Sequence, residues 1–410
     1  MHKTIFWIIL AIVFADFLFG VWLQALSSRA SRKPIPKILD GIYDSEKYAK
    51  QQSYFRINHQ MEFVKSSVKT FVTLSFFAFG GLALLDSIAR GFSPKPVLAA
   101  LCFFSVLYVI DFLADLPFII IDTFEVEQRY GFNKTSPKTF VGDTIKSFLL
   151  NAILLGGLLA LCVWIYTLTP RWFWLIAWGI YAAFTLLLHY FYSQIIVPLF
   201  NKQKPLEEGE LRTAIELFAK ETGFELENIY VMDASKRSTK ANAYFTGYGK
   251  KKRIVLFDTL IDLLTPDEIV GVLAHEIGHY KHGHLIKDMA SSLITSLITL
   301  WVFSLVIENT AIAAAAGCPE PSFWVNLAVF SLLMEPLGVL LGIVSNAISR
   351  KHEHQADAYA KEHSVGLAES SGLKKICAQG LMNLTPHPLV VFVEYSHPAL
   401  DKRVEFLERI

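Results

Sequence analysis

Seven apolar runs, each near the ~20 residues that a membrane-crossing helix needs, constrain this chain more than any other feature. They lie near 4–25, 66–88, 97–121, 147–168, 172–194, 289–310 and 323–347. Composition agrees. Of 410 residues, 53% are hydrophobic and only 18% charged, and the mean hydropathy is +0.40, too apolar for a soluble chain of this length. The first run follows His2 and Lys3, as a cleavable leader would. It is long, however, and carries Trp7, Phe14, Phe17, Phe19 and Trp22, so it reads as a retained span. A net charge of +1 says nothing about nucleic acid, but no basic patch with interleaved aromatics is present, and no nucleic acid is expected as a partner. Cys102, Cys162, Cys318 and Cys377 are scattered and form no CxxC, which suggests neither a disulfide framework nor a thiolate metal site.

Lysine and arginine orient the spans. The loop after the first carries Arg29, Arg32, Lys33, Lys37, Lys47, Lys50 and Arg56, and the loop after the third carries Arg129, Lys134 and Lys138. The 194–288 segment and the C-terminal tail are also basic, whereas 311–322 has no Lys or Arg. All basic segments share one side if the N-terminus is outside and the C-terminus cytosolic. The expected organisation is spans one to five in 1–194, a first soluble part in 195–288, spans six and seven in 289–347, and a second soluble part in 348–410. The fold class is therefore mainly α: a polytopic membrane protein with a cytosolic domain that holds a small β-sheet.

The chemistry sits in His275-Glu276-Ile277-Gly278-His279, an HExxH pattern. Residues four apart share a helix face, so His275 and His279 can reach one metal ion. Glu276 projects beside that ion, where it can take a proton from water. Thr265 is a good N-cap, Pro266 suits the first helical position, and Glu268 completes a capping box. Ile269, Val270, Val272, Leu273 and Ile277 surround the motif, so the helix is at least half buried, and its charged groups need a partner such as a metal. A zinc hydrolase needs a third protein ligand and an open position. Glu353 is the best candidate. Asp357, one turn on, is placed to accept a hydrogen bond from a ligating imidazole. His352 and His354 flank Glu353, point elsewhere on a helix, and read as surface residues.

In the soluble insertion, helical periodicity runs through Leu206–Thr222, and Ile229–Met232 and Ile254–Phe257 read as strands. Asn242-Ala243-Tyr244-Phe245 between them reads equally as an ordinary hairpin strand or as an edge strand that pairs with extended peptide. The spans hold Asp16, Asp86, Asp111, Asp115, His189, Glu308, Glu335 and Asn346. Such groups at membrane depth face a protein interior or water, which suits either a water-filled interior or interhelical hydrogen bonds.

These residues resemble a family, the type I CAAX prenyl proteases, which are seven-span membrane zinc metalloproteases. The resemblance covers nearly the whole chain. It rests on Asp122-Thr-Phe-Glu-Val-Glu-Gln-Arg-Tyr-Gly-Phe-Asn-Lys134, Ser235-Lys-Arg-Ser-Thr-Lys-Ala-Asn-Ala-Tyr-Phe245, the HExxH helix, Glu353-His-Gln-Ala-Asp357 and Ser396-His-Pro-Ala-Leu-Asp-Lys-Arg403. It implies a barrel of tilted helices around a water-filled chamber, capped by the protease domain. It implies one zinc ion on His275, His279 and Glu353, with Glu276 as general base. His397 and Arg403 match positions that stabilise the tetrahedral intermediate, and Asn242 and Ala243 match the substrate-binding edge strand. The implied partners are the lipid bilayer and a peptide or protein substrate, prenylated or not. His397-Pro-Ala-Leu departs from the two consecutive prolines of many relatives. The chain ends Leu-Glu-Arg-Ile without a basic retrieval tail, which favours a bacterial inner membrane, with the endoplasmic reticulum as the location in a eukaryote. The rival readings are a quality-control metalloprotease for damaged membrane proteins and a transporter or scaffold with structural zinc. Glu276 argues against the last, because a closed structural site has no use for a carboxylate beside the metal.

Overall fold

A computed structural model describes residues 1–224, 228–246 and 253–409. Five helices are long and apolar enough to cross a membrane unbroken: His2–Ala30, Pro96–Tyr130, Pro137–Leu168, Phe173–Leu199 and His284–Val306. The expected second and seventh spans are each a bent pair. Ser45–Ala78 meets Gly81–Phe92 at 66°, and Phe323–Leu333 meets Glu335–Glu362 at 56°. Counting each pair as one crossing gives seven. Both bends have a cause in the backbone. Gly80 is left-handed, with φ of 77°, a conformation glycine adopts at little steric cost. Pro336 opens the Glu335–Glu362 helix and has no N–H to continue the preceding turn. The helix His2–Ala30 packs against Ser45–Ala78 and Thr310–Ala315, so the first apolar run is part of the bundle.

The bundle's core is aromatic. Phe323 lies 5.4 Å from Phe173 and 5.5 Å from Phe303, edge to face. Other large apolar side chains, among them Trp7, Phe71, Ile153 and Leu187, point outward, where lipid is their solvent. Asp86, Asp111, Asp115 and Glu308 are bonded between helices. Lys69 bridges Asp111 at 2.9 Å and Asp115 at 3.2 Å, with Lys65 at 3.5 Å from Asp115. Buried Asp86 accepts from Trp324 Nε1 at 2.7 Å and from Arg90 Nε at 2.9 Å. Tyr166 donates to Glu308, and Asn346 donates to the Val393 carbonyl. A cavity of about 740 Å³ among the helices is lined by Asp288, Ser291, Ser292, Thr295 and Thr299 together with Leu158 and Leu341. Interhelical bonding and a polar interior thus coexist.

The soluble part holds a four-stranded sheet in the order β1 (Gln203–Pro205), β2 (Asn228–Met232), β4 (Arg253–Phe257), β3 (Ala243–Thr246). β2 and β4 are parallel, and β3 pairs antiparallel with β4, Tyr244 opposite Val255. β3 is therefore both a hairpin strand and an edge. The helix expected from Leu206 starts at Glu210 instead. Leu206 N–H is taken by the Ile229 carbonyl, which keeps the chain in the sheet past β1.

The HExxH helix spans Pro266–Lys281 and carries the expected capping box. Thr265 N donates to Glu268 Oε2 at 2.9 Å. Ser371 Oγ and Lys375 Nζ donate to the same carboxylate at 2.6 and 2.7 Å, which ties the cap to the helix Gly366–Gln379. Two glycines let neighbouring helices approach to backbone contact. A Cβ on Gly271 would stand 2.4 Å from Glu369 N, and one on Gly278 would stand 2.9 Å from Ala356 Cα. Gly271→Ala should therefore lower stability by ~1–3 kcal/mol, the usual effect of overpacking. Thermal unfolding in detergent reads this, with Gly142→Ala, where a Cβ meets open space, showing no comparable loss.

Candidate metal centre

His275 and His279, one turn apart on the HExxH helix, bring their Nε2 atoms to 3.1 Å from each other. Glu353, from the helix Glu335–Glu362, places Oε1 3.2 Å from His279 Nε2 and Oε2 3.5 Å from His275 Nε2. One ligand atom from each of the three lies within 4.8 Å of the others. Glu353 Oε2 is buried and accepts no hydrogen bond. An orphaned carboxylate oxygen and two facing imidazole nitrogens form a donor set that suits a tetrahedral zinc ion with one position left open.

The far nitrogens fix both tautomers. His275 Nδ1 donates to Asp357 Oδ1 at 2.8 Å, so its Nε2 keeps a lone pair. His284 Nε2 bonds Gln355 Oε1 at 2.9 Å. That leaves His284 Nδ1 to accept from His279 Nδ1, 3.0 Å away, and His279 Nε2 likewise keeps its lone pair. Arg403, 8% exposed, closes the arrangement from behind. Its Nη2 donates to Asp357 Oδ1 at 2.6 Å and to Glu369 Oε1 at 3.0 Å, its Nε donates to Asp357 Oδ2 at 3.0 Å, and its Nη1 lies 3.4 Å from Glu353 Oε2. Burial pushes the Glu353 carboxyl up, and the positive charge of Arg403 beside it pulls the other way. Glu369 is raised by burial and by the neighbouring Asp357.

The remaining expected residues fall around this core. Glu276 is half-buried on the HExxH helix. His397 Nε2 lies 3.4 Å from Glu353 Oε1, and its side chain is 62% exposed. Ser396 Oγ lies 2.9 Å from His397 Nδ1 and steadies the ring. Asn242 Oδ1 accepts from Ala243 N at 2.9 Å at the start of β3. His354 is on the surface, as expected. His352 is not: it is 5% exposed and stacks on His284, with ring centroids 4.0 Å apart. The helix His284–Val306 covers the face that the sequence leaves open, and its Asp288 lies 3.2 Å from His352 Nδ1. Three residues at the site escape the sequence reading. His284 had a signal, a histidine five residues after His279. His352 is visible in the sequence but reads there as a surface residue. Glu369 had none, being a lone acid whose contacts are all tertiary.

The whole chain is similar to known proteins. The family model for the CAAX prenyl protease N-terminal region, five membrane helices, matches residues 24–202, and that for peptidase family M48 matches residues 205–410. A probable CAAX prenyl protease 1 of Schizosaccharomyces pombe is 34% identical, over 97% of this chain and 88% of its own. The CAAX prenyl protease 1 of Saccharomyces cerevisiae is 31% identical, over 100% and 97%. The crystal structure of S. mikatae Ste24p superposes with a TM-score of 0.93 at 31% identity, covering 99% of each chain.

Removing the groups behind His275 should weaken metal binding without removing a ligand. Asp357→Asn and Glu369→Ala are each expected to lower zinc affinity about tenfold to a hundredfold, read by competition with a metal indicator. Unchanged affinity in both would dissociate the buried cluster from the metal.

Proposed function

This chain belongs to peptidase family M48, as a multi-pass membrane metalloprotease of the CAAX prenyl protease type, and we propose that it cuts its substrate at one zinc ion held by His275, His279 and Glu353. The observation that carries this is the clamp on His275: Asp357 holds Nδ1 at 2.8 Å, so Nε2 is aimed, unprotonated, at His279 and Glu353. When bound, zinc polarises the scissile carbonyl and lowers the pKa of water.

The protein's own groups do the rest. Glu276 takes the proton of the attacking water and passes it to the leaving amine. His397 Nε2, exposed at the rim of the centre, donates to the oxyanion, a role worth ~2.7–4 kcal/mol per donor. Arg403, already bonded to Asp357 and Glu369, supports that role through the carboxylates it holds and the positive charge it keeps beside Glu353. The open edge of β3, at Asn242 and Ala243, pairs with extended substrate backbone. We assign 195–288 and 348–410 to one protease unit, split by the two spans in 289–347. The distribution of Lys and Arg supports a cytosolic face for that unit, with the N-terminus outside. The substrate class follows the names of the relatives: C-terminal peptides of CAAX type that carry a prenylated cysteine.

Detergent-purified protein should hydrolyse a farnesylated CAAX peptide faster than its unprenylated twin. Glu276→Ala should keep one zinc per chain and lose turnover, and His279→Ala should lose the zinc. Hydrolysis by Glu276→Ala at the wild-type rate would remove Glu276 from the mechanism.

A further inference from the structure

A cavity of about 510 Å³ opens beside the start of β3. Arg237, Lys240 and Asn242 line it with Met232, Phe257 and Met382, and no carboxylate is among its walls within the described residues. One of these walls has a buried donor left over. Arg237 gives Nε and Nη2 to Asp143 Oδ2, both at 2.8 Å, while its Nη1 is buried with no partner. Lys240 Nζ reaches Glu127 Oε2 at 2.7 Å and Tyr54 Oη at 3.1 Å, which uses two of its three N–H groups, and it stands 4.8 Å from the centre of the Phe132 ring. Asn242 receives a bond on Oδ1, and its side chain is exposed. The buried Arg237 Nη1 left without an acceptor is unfavourable, and an anionic group in the cavity would satisfy it with Lys240 and Asn242 alongside.

The position relative to the metal centre is measurable along one helix. In Gly366–Gln379, Glu369 Oε1 lies 3.1 Å from His275 Nδ1. Ten residues on, Gln379 accepts from Ala241 N at 3.2 Å and donates to the Thr239 carbonyl at 2.7 Å, at the rim of the cavity. Ile376, seven residues after Glu369, already lines the cavity; seven helical residues rise ~10 Å, which matches the ~10 Å that three extended residues span, so a tripeptide that starts at the scissile bond has the length to reach the cavity wall. At the other end of β3, Phe245 packs 5.6 Å from Tyr280, the residue after His279. The strand therefore runs past the metal centre, with its first residue toward the cavity.

We propose that this cavity holds the C-terminal carboxylate of the substrate, on Arg237 Nη1, Lys240 Nζ and the Asn242 amide. The peptide then runs antiparallel to β3. Met232, Phe257 and Met382 supply apolar surface for aliphatic side chains between the cut and the terminus. This rests on the reading above, that substrate lies along β3 with its scissile bond at His275 and His279.

The test separates the two. Zinc-loaded Glu276→Gln protein in detergent is titrated with a fluorescent farnesylated CAAX peptide bearing a free C-terminal carboxylate, and with the same peptide as the C-terminal amide. The acid should bind at least about tenfold tighter, or ~1.4 kcal/mol, and Lys240→Gln should shrink that gap below about threefold. Arg237 also braces the loop against Asp143, so Lys240→Gln carries the test if Arg237→Gln fails to fold. Equal affinity for acid and amide would overturn the proposal, as would a gap that Lys240→Gln leaves intact. Binding needs no turnover. A preference for acid in a protein that hydrolyses neither peptide would keep the pocket and sink the protease assignment. Hydrolysis of both by wild type with equal kcat/KM would do the reverse.

Discussion

A charge in a dry interior must be answered by another, and His275 turns that rule into architecture. To offer Nε2 to a metal, the ring must keep its proton on Nδ1, and Asp357 accepts it. That buried carboxylate then needs a cation, which Arg403 supplies in two bonds. Arg403 in turn gathers Glu369 and Glu353. Four helices meet because of this chain of obligations, and glycines at 271 and 278 let two of them come close enough. Breaking one partner out of such a cluster is typically worth ~3–5 kcal/mol, so the arrangement holds together as a unit.

The same rule reaches into the membrane. Asp111 and Asp115 lie on one face of the helix Pro96–Ile121, and Lys65 and Lys69 of the helix Ser45–Ala78 meet them there. Asp86 is held between Arg90 and Trp324. These bonds join helices that lipid alone would not hold together, since apolar side chains gain little by leaving one apolar medium for another. They also leave hydroxyl and carboxylate groups facing the cavity between the helices His284–Val306 and Glu335–Glu362. The interior of the bundle is suited to water, and its outer face to lipid.

Most of the fold is legible in the sequence because spans and amphipathic helices are local patterns. The capping box at Thr265 and Glu268 and the one-turn spacing of Glu353 and Asp357 are written within a few residues each, and both appear as expected. Bends are harder to read. A hydropathy window averages across Gly80 and Met334 without registering that the backbone turns there. Helix geometry alone points His352 outward, yet outward on that helix is inward for the protein once His284–Val306 covers it. Glu369 is the extreme case. Its neighbours in sequence say nothing about a place beside His275 and Arg403, which are 128 residues apart.

That separation has a consequence for biosynthesis. His275 and His279 emerge from the ribosome well before Glu353, and Arg403 later still, with two apolar spans to be inserted in between. A growing chain thus carries two of the three proposed metal ligands and no clamp behind them, and on that reading the centre stays incomplete until synthesis has reached Arg403. No propeptide is required for that delay, because the order of segments along the chain already imposes it.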